Sequence, residues 1–183
     1  MRRTIIALTC AFLVSAIAAS GALAASVHLK GGKNAKPAFT DTGLTLSATG
    51  ALAGLGNGDV LVTLSATADV TSTCTNPSGA NQPPGHNPAP ITVTGSQAIP
   101  EEEIKNGTTP FSVTTQAPVT PIPGAPDCPN PNWTEAITDL AFTSATITVE
   151  QPPGNVVLTV SCTFSQPTSN GGVPNGNVTC TKS

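Results

Sequence analysis

The sequence predicts an all-β fold: an antiparallel β-sandwich of about seven or eight strands, immunoglobulin-like with Greek-key links and two disulfides. Three observations point there. Apolar and polar residues alternate with period two in several short stretches, most clearly over 60–70. There Val62, Leu64, Ala66, Ala68 and Val70 oppose Thr63, Ser65, Thr67 and Asp69. The 17 glycines and 18 prolines fall between such stretches and stay below the roughly 25–30% that marks low-complexity chains. Four of the five cysteines follow the N-terminal segment, an even number that suits two cross-links in an exported domain.

The first 24 residues read as an export signal. Arg2 and Arg3 supply the positive start, Ile5 to Ala19 is an uncharged and mainly apolar run, and Ala22-Leu23-Ala24 fits the small-x-small cleavage rule. Cys10 lies inside that run. No second apolar stretch approaches the ~18 residues of a membrane span, so no membrane insertion is expected after cleavage. Residues 25–37 read as a flexible Lys/Gly-rich arm, and 38–183 as a single β-sandwich domain. The expected location is extracellular.

Within that domain, residues 44–49 alternate and Asn57-Gly58 gives a hairpin signal between them and the 60–70 strand. A loop from Cys74 to Pro90 holds five prolines, whose missing donors and fixed φ keep it out of any ladder, and a second proline-rich loop runs from Pro118 to Pro131. Ile91-Thr92-Val93-Thr94 and Phe111-Ser112-Val113-Thr114 read as strands, with one helical turn between them at Pro100 to Ile104. Residues 132–149 are ambiguous. Trp133, Ile137 and Leu140 have helical spacing, whereas Thr143 to Val149 has strand composition, so one or two bulged strands are expected, with a short helix as the alternative. Val156, Leu158, Val160, Cys162 and Phe164 share one face of a further strand. Val178 and Cys180 share the parity of a closing one, which pairs Cys162 with Cys180 and leaves Cys74 for Cys128.

Composition excludes several functions. Charged residues are 9% of the chain and the net charge is −3, too few cations for a nucleic-acid binder. Asp41-Thr42-Gly43 matches the core of the aspartic-protease motif, but that chemistry needs two such aspartates, and the triplet is equally an ordinary turn. His28 and His86 are isolated, so no serine-hydrolase base or zinc site is expected. Glu135 and Glu150 are available as a carboxylate pair, yet nothing singles them out. Glu101-Glu102-Glu103 reads as a solvated turn; calcium held there with Asp139 or Asp59 lacks ligand spacing. No cofactor or metal is expected, and the protein is read as non-enzymatic.

What remains is binding. Lys30, Lys33 and Lys36 put three lysines within seven residues, suited to an anionic envelope polymer or to plain solubility. Trp133 is the one tryptophan, either a core anchor or a sugar-stacking platform. Thr-x-Thr steps at Thr71, Thr73 and Thr75, at Thr92 and Thr94, and at Thr146 and Thr148 resemble ice-binding ladders. They lack the regular repeat that would hold them in register. Asn106, Asn132 and Asn177 begin glycosylation sequons. The expected function is an extracellular adhesion or cell-surface binding module for a glycan or cell-envelope polymer, acting through its two loops. The alternative is a small-molecule carrier or inhibitor with a cleft between the sheets.

Overall fold

The computed structural model describes residues 26–183; the expected export signal lies outside them. Its longest elements are two strands, β4 (Val60–Thr75) and β8 (Thr134–Glu150), paired antiparallel along almost their whole length. At about 3.3 Å per residue each spans roughly 50 Å. The register shifts twice, between Thr67 and Ala68 and between Thr71 and Ser72, so that Thr143 and Thr138 are extra residues on β8. Each is a β-bulge, and each bulged threonine donates its hydroxyl to the carbonyl it faces, Thr143 to Thr67 at 3.3 Å and Thr138 to Thr71 at 3.2 Å. The bulges keep the apolar side inward. Buried positions run Glu135, Ile137, then Leu140, Phe142, then Ala145, Ile147, Val149, changing parity at each extra threonine. The ambiguous segment is therefore one bulged strand, without the short helix.

β4 and β8 centre the first sheet. On one side β8 pairs with β9 (Val156–Phe164), which pairs with β11 (Val178–Lys182). On the other edge of β4 lie β6 (Ile91–Ile99), opposite 60–68, and the short β5 (Asn81–Gln82), opposite Cys74 and Thr75. The second sheet centres on β3 (Leu46–Ala53). β7 (Thr108–Thr114) takes one of its edges, while β1 (His28–Leu29) and β2 (Ala38–Asp41) share the other, with β10 (Gly171–Gly172) beyond β2. Among the described residues eight strands have four or more residues, in keeping with the expected number. All pairings are antiparallel; they establish two stacked sheets without singling out an immunoglobulin-like order.

One hydrophobic core lies between the sheets, with Leu46, Leu52, Val60, Val62, Leu64 and Ile147 wholly buried. Phe39 of β2 meets Phe164 of β9 edge to face at 5.2 Å, joining the two sheets near one margin. At the other margin β6 and β7 close the sandwich. Gln116 N donates to Thr94 O at 2.8 Å and Ser112 N to Gln97 Oε1 at 2.8 Å. The backbones approach so closely that a Cβ on Gly95 would stand 1.9 Å from the Thr114 carbonyl oxygen. Glycine is needed there for space.

Four expectations change. Asn57-Gly58 does not close a hairpin: β3 and β4 belong to different sheets because the edges of both are already occupied, and 54–59 is a crossover. The buried Gln151 amide holds that crossover, donating to Gly56 O and Gly58 O and accepting from Gly56 N, each at 2.9 Å. Val156 leaves the buried face of β9 and is 56% exposed, because the register against β8 shifts beside it. The arm, expected to be flexible over 25–37, is tied down in part over its described residues 26–37: Val27 and Leu29 are buried, and β1 pairs with β3. Proline keeps most of 74–90 out of a ladder, but Asn81 and Gln82 do pair. The Pro100 turn forms as a short 3-10 helix, Glu101–Glu103, with Asp59 Oδ1 accepting from Glu101 N at 3.0 Å.

Gly95→Ala is expected to cost at least about 3 kcal/mol, the upper range for overpacking, because a carbonyl oxygen has to move. Gly172→Ala, with open space around it, should stay within about 0.5 kcal/mol; urea denaturation of both measures the contrast. Deleting Thr143 removes the bulge and brings Leu140, Phe142, Ala145, Ile147 and Val149 into unbroken alternation, so cooperative unfolding is expected to persist. Thr143→Ala, which keeps the count, should cost about 1 kcal/mol in the same denaturation experiment.

Candidate functional site: the braced end of the ribbon

Beyond β6 and β9 the first sheet narrows to two strands, with 69–75 of β4 facing 134–141 of β8. A two-stranded ribbon is marginal in water without further support. Both proline-rich loops supply it.

The first loop starts as a tight turn, Asn76 Oδ1 accepting from Ser78 N at 3.0 Å and Ala80 N at 2.9 Å. Asn81 and Gln82 then pair with β4, but Pro83, Pro84, Pro88 and Pro90 follow within eight residues. Proline has no N–H to give a ladder, so the chain leaves β4 after Gln82 and rejoins it at Ile91, opposite Ala68. Residues 69–73 of β4 thus have no strand on that edge, and an open depression of about 340 Å3 lies there, lined by Thr71, Ser72, Thr73, Asn81, Gln82 and Pro83.

The second loop runs along the opposite edge of the ribbon. Ile122 N donates to Glu135 O at 2.8 Å, and Thr120 Oγ1 accepts from Ile137 N at 3.0 Å. The loop then folds over the ribbon, burying Ala125, and Cys128 bonds to Cys74. Beneath this bridge lies Glu135, fully buried. Its Oε1 accepts from Ser72 Oγ at 2.9 Å and its Oε2 from Asp127 N at 3.2 Å, so one carboxyl group ties β4 and the second loop to β8. A buried carboxyl without such donors would cost several kcal/mol. The first loop joins too, Gly85 N donating to Asp127 O at 2.7 Å. Both loops therefore occupy the same end of the molecule and are fastened to each other.

Both expected disulfides, Cys74–Cys128 and Cys162–Cys180, form. Trp133 lies at the junction of the second loop with β8, half-buried and outside the hydrophobic core, so it is not the core anchor. Val119, on the same loop, is 80% exposed. The arm lysines separate. Lys33 and Lys36 line a depression of about 310 Å3 with Lys182, while Lys30 lines another of about 300 Å3 with Lys105 and Glu103. Lys36 donates to Val178 O, and Lys182 to Lys33 O at 3.1 Å, which docks this part of the arm on β11. The meeting of Lys182 with the arm, like the joining of the loops, left no signal in linear spacing.

The remaining candidates have structural places. Asp41 is buried in the β2–β3 turn, its Oδ1 accepting from Gly43 N at 2.8 Å and its Oδ2 from Thr168 Oγ1. His28 and His86 are exposed and stand on different segments, the arm and the first loop. Glu150 accepts from Gly154 N at 2.6 Å in the turn after β8, at the far end of that strand from Glu135. Asp59 lies beside Glu101, whereas Asp139 lies near Gly43. The three depressions of about 300–340 Å3 open outward and are lined by loops and strand surfaces, not by the core that a carrier's cleft would occupy.

Replacing Cys74 and Cys128 together by alanine removes a link across 54 residues, worth about 4 kcal/mol of chain entropy. Hydrogen exchange should quicken first at 69–75 and 134–141, with β3, β7 and the lower half of β4 retaining protection. An even loss of protection across all strands would show that the ribbon end is not separately braced.

Neither a family model, nor a curated protein, nor a solved structure matches the chain.

Proposed function

We propose that this is a secreted, non-enzymatic binding module that recognises an extracellular glycan or cell-envelope polymer through the platform formed by its two proline-rich loops. The observation behind this reading is the junction of those loops at one end, through Cys74–Cys128 and the Gly85–Asp127 hydrogen bond. Loops fixed before binding lose little entropy on engagement, and fixed φ at the prolines lowers that cost further. Val119 and Trp133 supply apolar surface on one of the loops, and an amphipathic indole suits the face of a sugar ring. Export is supported by the signal-like first 24 residues and by two disulfides, which persist in oxidising compartments. Among the described residues no helix is long and apolar enough to cross a membrane. Lys33, Lys36 and Lys182 would add attraction for an anionic polymer.

The test is binding of the oxidised protein lacking residues 1–24 to an array of glycans and cell-wall polymers. Saturable binding is expected, weakened about tenfold by Trp133→Ala, which corresponds to about 1.4 kcal/mol. The combined Lys33→Ala and Lys36→Ala change should matter only for anionic polymers, and less as salt rises. A blank array would overturn the reading. So would binding indifferent to Trp133→Ala and Val119→Ser, since the platform would then not be the contact.

A further inference from the structure

The register of the first sheet brings together residues that are far apart in the chain. One row across its outer face reads Thr179, Thr163, Ser144, Thr67, Thr92 from β11 to β6. The next, two residues along each strand, reads Thr181, Ser161, Thr146, Ser65, Thr94. The third reads Thr159, Thr148, Thr63, Ser96 from β9 to β6. All fourteen outward positions in these rows are threonine or serine. A surface of ordinary composition, roughly 25–35% charged, would carry about four charges in that space; this one has none. No aromatic ring or side-chain amide interrupts it. The hydroxyls on β6 and β11 are exposed, and those on β4 and β8 are half-buried between neighbouring strands.

The regular repeat missing from the sequence is thus supplied by strand pairing. Across strands the hydroxyl-bearing residues recur about every 4.8 Å, and along a strand about every 6.7 Å. Threonine is stiff at χ1, so its hydroxyl and methyl group stay near fixed points. Two of these hydroxyls bond each other, Thr67 and Thr92 at 3.3 Å, and Thr181 donates its own to the main-chain carbonyl of Ser161 at 3.5 Å.

The chemistry of such a face limits its ligand. A hydroxyl bonding a dissolved molecule gives up water for it, so the net gain per bond is small. Without an aromatic platform or a charged pair to orient a ring, the face is poorly equipped for sugars. Water itself is the exception. A hydroxyl donates once and accepts twice, close to the valence of water, and can stand in a lattice of water molecules without being desolvated. We propose that the outer face of the β11–β9–β8–β4–β6 sheet binds ice, its hydroxyls ordering surface water into the lattice of the crystal. Strand twist of about 20–25° limits the area that can meet a plane at once, so β9, β8 and β4 form the contact strip, nine hydroxyls in three rows.

This face is separate from the loop platform, which lies at the ribbon end beyond both bulges. The probe is ice: partition of the oxidised protein into a slowly grown polycrystalline ice shell, with thermal hysteresis measured alongside. The protein is expected to enter the ice, and the double change Ser65→Lys and Thr146→Lys, at the middle of the strip, to reduce uptake at least tenfold. Thr49→Lys on the outer face of β3 should leave uptake unchanged, as should Trp133→Ala. Circular dichroism and melting temperature of each variant report folding; outward substitutions should change stability little. Exclusion of the unaltered protein from ice would overturn the proposal. So would equal uptake by the double-lysine variant. Retention on microcrystalline cellulose or chitin, lost in that variant and unaccompanied by ice uptake, would also overturn it and make the face a polysaccharide surface.

Discussion

The pairing of β4 with β8 is the constraint on which the other features depend. Each strand is about twice as long as the sandwich beside it needs, so one half of the ribbon carries the core and the other half projects. In the core half, Val62, Leu64 and Ala66 face the second sheet, and burial provides the stability. In the projecting half there is no second sheet to face. Its inner side is covered by loop backbone, whose polar groups need partners, and hence Ser72, Glu135 and the backbone of 120–127 are hydrogen-bonded together there. The disulfide between Cys74 and Cys128 holds a cover that hydrophobic burial alone would hold weakly.

The bulges explain both what the sequence made legible and what it obscured. Strand β4 alternates without interruption over 60–68, and its period was plain. Strand β8 carries the same inward pattern but with two extra threonines, so its buried residues are spaced by three at each bulge. Ile137 and Leu140 then fall at helical spacing although both are in a strand. The pairing of Cys162 with Cys180 was readable because parity within β9 and β11 placed both on one face. The crossover at 54–59 was not, since whether Asn57-Gly58 joins paired strands depends on which edges other strands have taken.

The same distinction applies to the surfaces. Two loops rich in proline were visible in the sequence as rigid connections; that they meet follows from Cys74 and Cys128 standing at the same end of one ribbon. Lys33 and Lys36 were visible as a pair, but Lys182 reaches them only because β11 lies beside the arm. Thr92, Thr94, Thr146 and Thr148 were visible as short ladders. Their alignment with Thr63, Ser65 and Ser161 is a property of register, which no single strand encodes.

A face with no charge still has to remain soluble, and the placement of the acids shows how this chain manages it. Asp41 and Glu135 are buried and hold turns and loops. Glu101, Glu102 and Glu103 share one exposed turn, Asp59 is beside it, and Glu150 stands at the margin where the hydroxyl rows end. Asp69 and Asp139 are near the bulges, and Asp127 is in the second loop. The net negative charge therefore sits on turns and borders, where it opposes association between copies without entering the rows. At the sheet's outer edges, Lys182 stands on β11 and β6 is closed off by β7, which limits strand-to-strand aggregation. With repulsion supplied by the borders, the hydroxyl rows can stay uninterrupted. That segregation separates this face from an ordinary solvent-facing sheet, in which charges are interspersed.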